Sequence, residues 1–386
     1  MGSALSFIYV SIFFFSLSIG IFNPLLPLYA QSFGASYLDL GLIGTIYALP
    51  FLLLSAPIGI LSDKFGRKPF LLTGLICSVF ATGSLSLASD VQQVAIFRLF
   101  GGLTYCMVWP TVEALIIDIT SAGDRAKAMG RYSFSWSAGY LSGPPIGGLI
   151  MENLGFHPLF TVAALVAAAS PFTTFYGLRV ARKTHWSASA EIEKARKTVD
   201  WKVFAAVYTV VITYSIAFSV VFSIFPAYAS NAGITSFEIG ILFAVLEAAR
   251  TFTFLSSESL SRVGEGRSMG LALVLLGANM VGLSYLRGFT HLLVLMVFNG
   301  LAIGVIFPIA LSAISKLAPS GRRGMTIGFI EASIGLGMTL GPLIGGVAAE
   351  ALGASSPYLI IAFISGLTLL PVAFWRRRFN VEFDSA

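Results

Sequence analysis

The chain has 386 residues, 56% of them hydrophobic and 11% charged, with a net formal charge of +6. Soluble domains run at about 45 to 50% apolar and about 25% charged, so a water-soluble globule is excluded. A spanning helix needs ~20 mostly apolar residues, which leaves room for about a dozen spans and for no large soluble domain.

The opening stretch, residues 5–30, is apolar for longer than a cleavable signal core and reads as the first span. Further apolar stretches follow at 38–61, 70–89, 92–118, 127–151 and 158–178, then, after a polar gap, at 202–229, 237–260, 268–286, 291–316, 325–349 and 357–375. Irregular backbone cannot face lipid, so each is expected to be a helix. The expected fold is therefore an all-α membrane protein of twelve transmembrane helices. Its first bundle covers 1–178, a linker 179–200 and a second bundle 201–386.

Lys and Arg gather in alternate connections, among them Lys64, Arg67 and Lys68, Arg125, Lys127 and Arg131, the run from Arg179 to Lys202, and Arg376 to Arg378. Such residues stay on the cytoplasmic side, which puts both termini and the linker in the cytoplasm, with the cell membrane as the expected location. Spread through loops in this way, the positive charge gives no patch for nucleic acid. Cys77 and Cys106 lie in apolar stretches and form no disulfide framework. No phosphate-cradling loop, zinc-spaced set or nucleophile elbow appears, so no enzymatic activity, metal or cofactor is expected.

The two halves repeat. Gly143-Pro144-Pro145-Ile146-Gly147-Gly148 returns as Gly341-Pro342-Leu343-Ile344-Gly345-Gly346, an offset of 198 that also pairs Pro110 with Pro308 and Gly102 with Gly300. Upstream, Pro27-Leu28-Tyr29-Ala30 matches Pro226-Ala227-Tyr228-Ala229 at an offset of 199.

Two like six-helix halves in parallel orientation are the architecture of the major facilitator superfamily, and the residues resemble it too. Gly59-Ile60-Leu61-Ser62-Asp63-Lys64-Phe65-Gly66-Arg67-Lys68-Pro69, between the second and third spans, is similar to that superfamily's most diagnostic motif. The resemblance implies a tight turn at Gly66 and a charge cluster of Asp63, Arg67 and Asp118, flanked by Gly59 and Lys68, that holds the cytoplasmic side shut. In the second half Arg262 matches Asp63 and Glu258 matches Gly59, so a symmetric latch is not expected. Gly139, Gly143, Pro144, Gly147 and Gly148 resemble an antiporter motif. The same pattern in Gly337, Gly341, Pro342, Gly345 and Gly346 favours helix packing and bending instead. Pro24-Leu25-Leu26-Pro27 resembles a motif of the twelve-helix drug:proton antiporter branch, and Arg98 followed by Gly102 a further family motif with a buried arginine.

Charge inside a membrane is costly and marks function by default. The candidates are Arg98 and Glu113 in the fourth span, Glu247 and Arg250 in the eighth and Glu331 in the eleventh, with Asn23 in the first, where many drug antiporters of this branch carry an acid. Glu247 and Arg250, three apart, face one another and can neutralise each other. Glu331 has no basic residue within one turn of its own helix. Desolvation disfavours a charged carboxyl, so this residue suits proton carriage. Glu113 fits either proton transfer or the latch. The histidines fall in or near loops, so the proton, as the expected coupling ion, must use carboxylates. Phe13, Phe14, Phe15, Phe22, Phe218, Phe222 and Phe225 either pack or line a cavity. The resemblance implies a monomeric secondary transporter exporting small amphipathic compounds or drugs against protons; a metabolite symporter or facilitator, or a lipid translocase, stands as the alternative.

Overall fold

The computed structural model describes residues 2–121, 123–180, 201–256, 264–285, 288–317 and 323–375. The first half runs α1 (Gly2–Phe22), α2 (Leu26–Ser32), α3 (Tyr37–Phe65), α4 (Arg67–Ser84), α5 (Val91–Asp118), α6 (Arg125–Leu154) and α7 (Phe156–Val180). The second runs α8 (Trp201–Ser223), α9 (Phe225–Asn231), α10 (Ser236–Leu255), α11 (Glu265–Tyr285), α12 (Phe289–Leu317), α13 (Arg323–Leu352) and α14 (Ser356–Trp375). The first span is α1 and α2 broken by a 3-10 turn at Asn23–Leu25, and α8 with α9 break in the same way ahead of Pro226. Proline removes a ladder donor and crowds the preceding turn, which accounts for both breaks.

Ten of the spans are long and apolar enough to cross a membrane by length and composition alone. The other two, α6 and α10, are helices of 30 and 20 residues. Large apolar side chains such as Phe80, Phe172 and Phe374 are exposed, as they are when the solvent is lipid.

The chain separates into two compact units, Met1–Ala190 with Ile234–Ala244, and Glu191–Gly233 with Val245–Ala386. In the first, α1 packs against α6 and α7, α3 against α5, and α4 against α5 and α7. In the second, α8 packs against α13 and α14, and α11 against α12 and α14. The repeat extends to individual bonds. Tyr29 donates to the Leu85 carbonyl at 2.8 Å and Tyr228 to the Leu283 carbonyl at 3.1 Å. Ser36 and Asp39 form a reciprocal capping box at the start of α3, and Thr235 with Glu238 repeats it ahead of α10. Each box satisfies backbone donors that a helix start leaves open.

Small residues set the helix spacing. A side chain at Gly139 would meet Phe13 and Leu17 backbone, and one at Gly337 would meet Ile212 and Ile216, the same places 199 residues on. Gly143 and Gly147 lie against Gly20 and Ile21, Gly341 against Ile216 and Ser219, and Gly345 against Val220 and Ile224. Gly148 lies against Ser236 and Phe237 at the opening of α10, which belongs to the first unit. Pro144 and Pro342 sit inside α6 and α13, and Gly346 is buried. The linker from 181 to 200, together with Glu258 and Arg262, lies outside the described residues.

Candidate functional site

The charge cluster comes together in the first unit. Gly66 takes φ of +97°, a conformation that side-chain-bearing residues rarely adopt, and turns α3 directly into α4. That turn brings Arg67 Nη1 to 2.8 Å from Asp63 Oδ1, while its Nε bonds Asp118 Oδ2 at the end of α5. Arg67 is thus held between two carboxylates, one on each flanking helix. Lys68 follows in the first turn of α4, and Gly59 has open space where a side chain would stand.

Deeper in the same unit Arg98, 6% exposed, donates from Nη2 to Asn23 Oδ1 at 2.9 Å, and its guanidinium stacks 3.8 Å from the Tyr47 ring centre. Gly102, one turn on, lets α5 approach the Tyr47 carbonyl of α3, which is what brings ring and guanidinium together. Among the described residues both partners of Arg98 are neutral, and its Nε has no hydrogen-bond partner. It borders a cavity of about 20 Å³, room for a single water, lined also by Ser18, Ser78, Thr82 and Thr104.

An aromatic series leads away from Arg98. Tyr47 and Phe51 meet Tyr105, Tyr105 meets Trp109, and Trp109 meets Phe15, Tyr132 and Trp136, with centroids 5.5 to 6.4 Å apart. At its far end Tyr132 donates to Glu113 Oε1 at 3.1 Å. Glu113 is therefore engaged by a phenol of α6 and stands apart from the Arg67 cluster, which takes Asp118 alone from α5.

The second unit is built differently. Glu247, 1% exposed, and Arg250, 5% exposed, form an ion pair at 2.8 Å on α10. The guanidinium lies 5.4 Å from the Phe218 ring and 5.7 Å from that of Phe254, and Phe218 continues into Tyr214 and Phe222. The ion pair of α10 thus borders an aromatic run of α8. Where the first unit has the small residues Ala81 and Gly101 beside its cavity, the repeat carries Asn279 and Asn299. Both are buried, and among the described residues neither carboxamide has a hydrogen-bond partner.

Of the phenylalanines, Phe15, Phe22 and Phe225 are buried inside their units, while Phe218 and Phe222 join the stack over Arg250. Residues that sequence reasoning passed over are Tyr47, Tyr105, Trp109, Tyr132 and Tyr214. Each is an aromatic with a polar handle within a span, an unusual choice for a lipid-facing position.

A pair of six-helix bundles with buried charge inside each is the build of a membrane transporter. The family model of the Major Facilitator Superfamily matches residues 8–289 and 207–386, and the chain belongs to that superfamily. It is 26% identical over 382 residues to multidrug resistance protein 2 of Bacillus subtilis, covering 96% of this chain and 94% of that one. It is 26% identical over 350 residues to the quinolone resistance protein NorA of Staphylococcus aureus, 90% of each. Among solved structures, the human organic anion transporter MFSD10 superposes with a TM-score of 0.70 at 18% identity, over 96% of this chain and 99% of that one.

Proposed function

We propose that the protein exports small amphipathic organic compounds in exchange for protons, by alternating access in the cell membrane, as a monomer with both termini in the cytoplasm and no cofactor beyond the coupling ion. The buried ion pair of Glu247 and Arg250, set against the aromatic run of α8, carries this reading. A buried ion pair is costly to desolvate, and protonating its acid or a neighbouring one changes the charge of the whole group. The neighbouring rings of Tyr214, Phe218 and Phe222 offer an apolar face to an amphipathic cargo. The resistance proteins among its relatives support the same direction.

Coupling has enough driving force. One charge crossing 100 mV is worth about 2.3 kcal/mol, or roughly a fiftyfold gradient. The test is uptake of a lipophilic cationic dye into proteoliposomes with and without an imposed pH gradient. The gradient should drive uptake in the native protein, and Glu331→Gln or Glu247→Gln should remove that drive. Gradient-independent movement that both variants retain would replace antiport with facilitation.

A second reading rests on Arg98. A buried guanidinium whose described partners are neutral suits an anionic group on the substrate. Anionic metabolites or dyes would then be carried in preference to cations, with Arg98→Gln abolishing their binding.

A further inference from the structure

The start of α6 carries two cations that no ion pair uses. Lys127 and Arg131 are exposed and stand one turn apart on one helix face. Among the described residues neither forms a salt bridge. Both border a cavity of about 200 Å³, far larger than the one beside Arg98, where the start of α1, the end of α5 and the start of α6 meet. Asp124 is the acid on its rim, and that carboxylate accepts from the Ser121 hydroxyl at 2.8 Å. Two cations against one acid leave the cavity positive. Tyr9 lines it as well, and its buried hydroxyl has no hydrogen-bond partner among the described residues. A buried donor left open is costly, so this wall calls for an acceptor.

The repeat shows the same corner without a cation. At offsets of 199 and 198, Tyr9 matches Tyr208 on α8 and Arg131 matches Phe329 on α13. There the Tyr208 and Phe329 rings meet, with centroids 6.1 Å apart. An aromatic pair thus packs the corner in the second unit, and in the first a guanidinium stands in place of one ring. Membrane topology asks only for cations somewhere on the cytoplasmic side. It does not ask for two of them, a turn apart, over an apolar floor of Leu5, Ile119 and Ala128.

We propose that this cavity binds the phosphate group of an anionic phospholipid. Arg131 takes the phosphate oxygens as a fork and Lys127 as a point charge, while the glycerol and upper acyl carbons rest on Leu5, Ile119 and Ala128. The three helix ends are ends of spans, where headgroups begin. With the termini in the cytoplasm, as proposed above, they face the leaflet that holds anionic lipid. Free phosphate offers the same charge without an apolar part, so the floor decides for lipid. A lipid held there ties α1 to the connection between α5 and α6, just beyond Asp118, and makes the stability of the first unit depend on bilayer composition.

Titration of the purified full chain with phosphatidylglycerol in a neutral detergent, followed by the thermal unfolding midpoint, tests this. Phosphatidylcholine, whose net charge is zero, and inorganic phosphate are the parallel titrants. Phosphatidylglycerol should raise the midpoint saturably, and the other two should not. Lys127→Gln with Arg131→Gln should weaken the apparent affinity about thirtyfold, the expectation for two cations near an anionic headgroup. Arg131→Phe, which installs the ring of the second unit, should abolish the rise, and it decides alone should the double variant fail to fold. Arg179→Gln removes an exposed cation of α7 and should leave the affinity as it is. Equal weakening by Arg179→Gln would reduce the effect to diffuse surface charge and overturn the site. So would a rise that the cation variants keep, or no rise at all. An equal rise with inorganic phosphate would keep the phosphate site and overturn lipid as its occupant.

Discussion

The two halves share a backbone plan and differ in how they keep charge inside it. In the first, the deep cation is Arg98, held by an amide and a ring, while the acid Glu113 lies at the other end of an aromatic series and accepts from a phenol. In the second, cation and acid sit side by side as Glu247 and Arg250 on one helix face. Duplicated helices thus fixed the spacing and left the electrostatics free to diverge. The first half separates its charges and sets each against neutral groups. The second pairs them, so any change to one is felt by the other.

That contrast predicts its largest effect at Glu247. Removing one member of a buried pair strands the other and costs about 3 to 5 kcal/mol. Glu247→Gln should lower the thermal unfolding midpoint in detergent markedly, and adding Arg250→Met should recover most of the loss. Arg98→Met in the first half strands no carboxylate, so its midpoint should move much less. Equal losses at the two sites would erase the distinction between them.

The shared backbone plan predicts matched effects instead. Gly102 and Gly300 each let a helix approach the carbonyl of Tyr47 or Leu246, residues 199 apart. Overpacking of this kind costs about 1 to 3 kcal/mol. Gly102→Ala and Gly300→Ala should therefore lose similar stability in the same assay, while Gly130→Ala, where nothing stands within 4 Å, should lose none. A large difference between the first two would mean that the repeat has relaxed in one half.

Tyr132→Phe takes away the hydroxyl that bonds Glu113 and should cost about 1 kcal/mol. Measured as gradient-driven dye uptake alongside stability, it separates two uses of the first-half acid. If uptake falls further than folding does, Glu113 takes part in coupling. If both change together in small degree, the second half carries the proton alone.

Much of this was legible in the sequence. Span number, the repeat and the Gly66 turn followed from hydropathy and from glycines at fixed offsets, because a membrane forces helices and close packing forces small residues. Glu247 with Arg250 was legible because both lie on one helix. The Tyr132 bond to Glu113 and the Arg98 contact with Tyr47 were not, since each joins different helices and depends on their rotation about their own axes.

The smallest effect expected is at the Arg67 charge cluster, which the motif announces most loudly. Asp63 is largely exposed, Arg67 and Asp118 partly so, and pairs in such surroundings are worth about 1 kcal/mol or less. Asp118→Asn should hardly alter the unfolding midpoint, yet it should shift the ratio of transport states up to about fivefold. A conformational equilibrium between states of similar energy responds to differences that global stability scarcely registers. Distances between spin labels on the two halves, which report that ratio, and the thermal scan must therefore disagree for Asp118→Asn and agree for Glu247→Gln. If the thermal scan moved instead and the distances did not, Arg67 would be an anchor that fixes the α3 to α4 turn in every state, and the difference between the halves would lie in their buried charge alone.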